Sequence, residues 1–140
     1  MTTPENAAHV GGPGMKVLFV CSGNTCRSPY AEAMARSLGL EARSAGTMAM
    51  VGMPAAPDAV AASTRRGLDL EAHRASALDA ELVDWADVVV AFGERHVQAI
   101  EQLGGAAKTK LVLVKDPWER GPDAYDQAYD QIDAAVRALG

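Results

Sequence analysis

Residues Val20 to Pro29, VCSGNTCRSP, decide the fold of this chain. They follow a short apolar and β-branched run, Met15 to Val20 (MKVLFV), and lead into residues that suit a helix start. Ser28 reads as the N-cap, Pro29 as the first helical position and Glu32 as part of the first turn. The order is strand, tight loop, helix. Such a loop turns successive backbone N–H groups toward one concavity, and the free N–H groups and positive end of the following helix point at the same place. Gly23 and Asn24 are the residues most tolerant of positive φ, which a loop of that shape needs. The pocket suits a tetrahedral dianion.

Cys21 and Arg27 give the pocket its chemistry. The thiolate is the nucleophilic form of cysteine, and an arginine and a helix N-terminus nearby both favour it. Arg27 has the planar fork that holds two phosphoryl oxygens at once, which lysine does not reproduce. Ser22, Gly23, Asn24, Thr25 and Cys26 complete the substrate-binding cradle, and Ser28 sits where its hydroxyl can donate to the sulfur. The plainer reading is a buried structural cysteine beside an ordinary turn. It leaves the helix signals, the arginine and the turn formers of the same ten residues unexplained.

The rest of the chain alternates strand and helix patterns, which predicts a three-layer α/β/α domain: a four-stranded parallel sheet with helices on both faces. After the first strand, Glu41 to Ala45 reads as the second, DVVVAF at Asp87 to Phe92 as a buried central strand, and Lys110 to Val114 as the fourth. Helices are expected over Asp58 to Arg66, Asp79 to Trp85 and Glu94 to Leu103. In the last helix Tyr125, Tyr129, Ile132, Val136 and Leu139 recur at helical spacing and read as ordinary core. Ligands of such sheets bind at the carboxyl ends of the strands, where Cys21 and Asp116 both fall.

Composition narrows the class. At 140 residues and 49% hydrophobic the chain supports one substantial core and not two. A net charge of −5 offers no basic face to nucleic acid or to an anionic membrane, and no apolar stretch approaches the length of a membrane span. Two cysteines five residues apart are too sparse for a disulfide scaffold. A monomeric cytoplasmic enzyme is the expectation. The first fourteen residues, MTTPENAAHVGGPG, are polar and small, and read as a disordered leader before a domain spanning residues 15–140. His9, His73 and His96 are scattered, so neither a metal nor another cofactor is expected.

The VCSGNTCRSP loop resembles the signature loop of the low-molecular-weight protein tyrosine phosphatases, and four later segments agree in order. These are SAGT at Ser44 to Thr47, GLDLEAHRAS at Gly67 to Ser76, DWADVVVAFGERH at Asp84 to His96, and DPW at Asp116 to Trp118. The resemblance implies a metal-independent phosphatase acting on phosphorylated protein substrates through a phosphocysteine. Cys21 would be the nucleophile, Arg27 the phosphate clamp and Asp116 the general acid and base. An Asp-Pro pair by itself more often punctuates a turn, and it is the family order that favours catalysis. Trp118 is either a core aromatic or a pocket wall that stacks on a flat substrate. Asn24, Ser44 and His73 match positions that brace the loop, although Ser44 also suits a simple turn and His73 a solvated one.

Three points stay open at this level. Family members with a second loop cysteine can protect the nucleophile by a disulfide, so Cys26 is either a redox partner or a packed small residue. Thr25 stands where tyrosine-specific relatives often carry a larger aliphatic residue, and threonine there is associated with the protein arginine phosphatase branch. Phosphotyrosine is the expected substrate, with phosphoarginine the alternative. Glu119 and Arg120 replace the small Gly-Gly of the family after the Asp-Pro-aromatic segment. An arsenate reductase of the same fold is disfavoured because no cysteine follows Cys26, and a phosphate-binding pseudoenzyme because it would not need Cys21 and Asp116 together.

Overall fold

The computed structural model describes residues 14–139. The proposed leader lies outside the described residues except for Gly14. Four parallel strands, β1 (Lys16–Cys21), β2 (Glu41–Gly46), β3 (Val88–Ala91) and β4 (Thr109–Leu111), pair in the order β2-β1-β3-β4. The connecting helices are α1 (Arg27–Ser37), α2 (Pro57–Arg65), α3 (Ala80–Trp85), α4 (Glu94–Gln102) and α5 (Pro122–Leu139). A 3₁₀ turn, Ala106–Lys108, leads into β4.

Strand side chains alternate between faces, so β1 feeds two cores at once. Val17, Phe19 and Cys21 join Val90 and Phe92 beneath α1, α2 and α5. Leu18 and Val20 join Val89 and Ala91 against α3 and α4, through Val83 and Ile100. Both faces of the central strands are covered, which is why their sequences are continuously apolar. The three-layer α/β/α expectation and the four-stranded parallel sheet both hold.

Local differences from the sequence reading have physical causes. Helix α1 begins at Arg27, and its N-cap, Cys26, makes no side-chain capping bond. Ser28 is therefore not the cap, because its hydroxyl is engaged by Cys21 and Asn24. Pro29 falls third in the helix, where its missing N–H belongs to a group that has no intrahelical acceptor anyway. Glu32 lies in the second turn, with its carboxylate on Ser44 and Arg36. Strand β4 stops at Leu111, although Val112 N and Val114 N still donate to Ala91 and Phe92 and carry the chain to Asp116.

The stripe on α5 is buried as expected, and it has a second role. Tyr129 stacks on Tyr30 with ring centroids 3.9 Å apart, and its hydroxyl donates to the Cys26 carbonyl at 2.9 Å. The Tyr125 hydroxyl lies 3.3 Å from Cys26 Sγ. Periodicity identified these tyrosines as core but said nothing about where their hydroxyls land.

Candidate active site

Strand β1 delivers Cys21 to the sheet's carboxyl edge, with 2% of its surface exposed. The segment that follows is held by its carbonyls. Cys21 O accepts from Thr47 N, Ser22 O from Met48 N, Thr25 O from Ala56 N, and Cys26 O from the Tyr129 hydroxyl. Asn24 O accepts from His73 Nε2 at 2.7 Å, which fixes that nitrogen as the protonated one. Among the described residues, no backbone N–H from Ser22 to Cys26 donates to a protein acceptor. Carbonyls tied outward leave the amides free for the pocket, the arrangement that binds anions.

Asn24 sets the curvature. Its φ of 57° is in the left-handed region, which asparagine tolerates better than most residues. Gly23, expected to share that role, is not in the left-handed region. Close approach demands a different glycine. A Cβ on Gly46, at the end of β2, would sit 2.5 Å from Ser22 O and 3.0 Å from Asn24 N, so the loop packs directly on that Cα.

The Asn24 side chain is fully buried and faces away from the pocket as the hub of a network. Its Oδ1 accepts from Ser76 N at 2.8 Å, which fixes the amide orientation, and Nδ2 donates to Ser28 Oγ at 2.7 Å and to Ser44 Oγ at 2.9 Å. Ser28 Oγ thus accepts a hydrogen from Asn24 and lies 2.9 Å from Cys21 Sγ, where its own proton can donate to a thiolate. A hydrogen bond aimed at sulfur stabilises the negative charge there. Ser44 accepts from Asn24 and donates to Glu32. Asn24, Ser44 and His73, expected to brace the loop, each hydrogen-bond within it or to it, and Glu32 and Ser76 join the same network.

Arg27 is buried and fastened through Nη1, which donates to Val114 O at 2.9 Å. Among the described residues its buried Nε has no hydrogen-bond partner, and Nη2 lies 3.8 Å from Asp116 Oδ2, beyond hydrogen-bond distance. The Nε and Nη2 edge of the guanidinium therefore has donors unspent, in the fork that suits two oxygens of one anion. Asp116 is half exposed, with Oδ1 accepting from Trp118 N at 3.1 Å. Trp118 is 56% exposed, so it is not a core aromatic, and it lines the cavity. Gly23, Thr25, Met48 and Trp118 surround Cys21, Arg27 and Asp116 in a cavity of about 300 Å³. Glu119, exposed and next to Trp118 in sequence, has a φ of 59°, a conformation that suits the glycine of the family pattern better than glutamate.

Two residues carry more than their sequence signal suggested. His96 is buried, and its Nε2 lies 2.9 Å from Ser22 Oγ while Nδ1 has no partner among the described residues. Burial first, and then the nearby Arg27 charge, push its pKa down to about 4, so the imidazole is neutral at pH 7. Only its position at the foot of α4, after a strand that ends near Cys21, could have flagged it. Cys26 is the other. It is a free thiol, 6% exposed, lining the pocket floor, and burial pushes its pKa up.

An anion cradle of outward-tied carbonyls, a sulfur at its floor, an open arginine edge and a carboxyl at its rim define a cysteine-dependent phosphatase. The chain belongs to the family described as Low molecular weight phosphotyrosine protein phosphatase, whose profile matches residues 16–140. It is 35% identical to the protein-arginine-phosphatase of Bacillus subtilis (strain 168), over 89% of this chain and 94% of that one. It is 31% identical to the low molecular weight protein-tyrosine-phosphatase Wzb of Salmonella typhi, over 87% of this chain and 89% of that one. The crystal structure of a low molecular weight protein tyrosine phosphatase from T. tengcongensis superposes with a TM-score of 0.83 at 33% identity, covering 90% of this chain and 97% of that one. Among the described residues no helix is long and apolar enough to cross a membrane.

Proposed function

We infer that this protein hydrolyses phosphotyrosine in protein substrates through a phosphocysteine formed on Cys21. The observation that carries the reading is the loop itself: among the described residues its amides and Arg27 Nε have no protein partner, and Cys21, Gly23, Thr25, Cys26 and Arg27 line one cavity. Cys21 thiolate attacks phosphorus in line, forming the S–P bond as the P–O bond to the phenol breaks. Arg27 and the amides from Ser22 to Cys26 hold the equatorial oxygens, where charge accumulates. Asp116 gives its proton to the departing oxygen. It then takes a proton from water, which attacks phosphorus, releases inorganic phosphate and returns Cys21 to the thiolate that Ser28 stabilises. Trp118 and Met48 flank the entrance and suit a flat phenyl ring. The two unpaired thiols fit a reducing, cytoplasmic setting.

Thr25 favours a second reading. Its side chain lines the same cavity, where a hydroxyl can meet a guanidinium that a larger aliphatic residue would crowd, so phosphoarginine is the alternative substrate. One experiment addresses both: turnover of phosphotyrosine and phosphoarginine peptides of the same sequence, without added metal, by wild type, Cys21→Ser and Thr25→Ile. Cys21→Ser should abolish turnover while vanadate still binds; activity within tenfold of wild type sinks the nucleophile assignment. Thr25→Ile should change the ratio of the two kcat/KM values by about 10 to 200-fold if Thr25 selects the guanidinium. A ratio unchanged within threefold leaves phosphotyrosine alone.

A further inference from the structure

A second cavity, of about 500 Å³, is walled by α1, by Arg43 and Ser44 of β2 and by the segment Asp69 to Ser76. It shares no residue with the cavity over Cys21. Strand β2 is an edge of the sheet. Glu41 N donates to Met15 O and Thr47 N to Cys21 O, so odd-numbered residues along it bond to β1 and even-numbered ones turn their main-chain groups to the open edge. Of these, Ala42 O accepts from Arg36 Nε and Gly46 N donates to Ser76 O. Ser44, between them, is buried, and its N–H has no acceptor among the described residues. Buried N–H groups are rarely left without an acceptor, and this one borders a cavity that can supply one.

The charges in the same walls favour an anion. Glu32 spends its carboxylate on Arg36 and the Ser44 hydroxyl, and Asp69 accepts from Glu71 N. Arg43 makes no hydrogen bond or ion pair among the described residues, and its guanidinium lies over the Trp85 ring, 4.4 Å from the centroid. Arg74 is fastened through Nη1 to the carbonyls of Glu71 and His73, which leaves Nε and Nη2 unspent. Guanidinium forks and a free main-chain N–H are the groups that take oxyanions, and Leu70, Ala72 and Leu82 add an apolar wall. Ser44, His73 and Ser76, the residues that hold Asn24, line this cavity as well. We propose that it is a second binding site, for a small organic anion whose carboxylate or phosphate is held by Arg43, Arg74 and the Ser44 N–H, and that an occupant changes turnover at Cys21 through Asn24. The binding is independent of the phosphatase reading, and the effect on turnover rests on it.

The probes are phthalate, a carboxylate, and phenylphosphonate, a phosphate analogue, each titrated by calorimetry into protein whose active site is filled with vanadate. At least one should bind, and which one does separates the two anion chemistries. Arg43→Gln/Arg74→Gln should weaken it about tenfold or more, and so should Ala72→Glu, which sets a carboxylate in the wall without touching either arginine. On p-nitrophenyl phosphate the bound probe should shift kcat about twofold or more in wild type and not in the variants, whereas a competitor at Cys21 raises KM alone. Binding of neither probe, or the same affinity in both variants as in wild type, overturns the site. Binding that leaves kcat unchanged overturns its effect on the loop. Wild type that binds a probe but fails on p-nitrophenyl phosphate would instead refute the phosphatase reading and leave the site standing.

Discussion

Asn24 offers the sharpest test of how the loop is held, because two substitutions separate its conformation from its hydrogen bonds. Its side chain makes three bonds, to Ser28, Ser44 and Ser76 N. At a net ~1 kcal/mol each, removing them should destabilise the protein by about 3 kcal/mol in both Asn24→Gly and Asn24→Ala. The backbone distinguishes the two. Alanine in the left-handed region carries ~1 to 2 kcal/mol of strain, and glycine's greater unfolded-state entropy offsets ~0.4 to 1 kcal/mol of its advantage. At the observed φ of 57°, glycine should finish about 0.5 to 1 kcal/mol more stable than alanine. Urea unfolding of the three proteins at pH 7 measures this directly. Turnover of p-nitrophenyl phosphate should fall about tenfold in Asn24→Gly, since the Ser28 proton is no longer committed to the sulfur, which amounts to one hydrogen bond lost in the transition state. Two results would refute the reasoning: alanine as stable as glycine, or both variants within 1 kcal/mol of wild type.

Asp116→Asn should lower kcat by about 10² to 10⁴ on substrates with a poor leaving group and far less on p-nitrophenyl phosphate, which needs little protonation. An equal loss on both would make Asp116 structural. His96 ties stability to pH: its folded-state pKa of about 4 lies below the ordinary 6.5, so the unfolded chain binds the extra proton and stability is full above pH 6.5 and lost as pH falls toward 4. Between pH 7 and pH 5 wild type should lose about 2 kcal/mol that His96→Gln retains, read from urea midpoints at each pH; parallel losses would contradict it. Peroxide should inactivate the enzyme and dithiothreitol restore it, by a disulfide between the oxidised Cys21 sulfur and Cys26, and Cys26→Ala should recover little. Full recovery of that variant would reduce Cys26 to packing.

The fold was readable because its signals are periodic. Consecutive valines in β3, the apolar run of β1 and the spacing on α5 each reflect burial, and burial is what the structure repeats. Cys21 and Arg27 could be singled out because few residue types can do the chemistry proposed for them, and Asp116 through the family order; the structure brings all three to one cavity. The signals that misled were local ones overridden by contacts distant in sequence. Ser28 and Pro29 look like a helix cap in isolation, but Asn24 and Cys21 claim the serine. Gly23 looked like the flexible point, whereas the glycine under real constraint is Gly46, on another strand. Nothing near His96 in sequence signals Ser22, 74 residues away. Nor does the spacing on α5 reveal that Tyr129 would hold the Cys26 carbonyl.

The outward-tied carbonyls of the loop have a consequence for how this enzyme can change. Its positive lining is largely main chain, and a side-chain substitution does not delete a peptide N–H. Thr25, Met48 and Trp118, which give the cavity its shape, are separate from the amides that hold the phosphoryl oxygens. Their replacement alters what is admitted and leaves untouched the part that recognises phosphate. A loop built this way lets one reaction serve chemically different phosphorylated residues. That division makes the cavity wall the natural place to redirect the enzyme by design, with the bracing around Asn24 left as it stands.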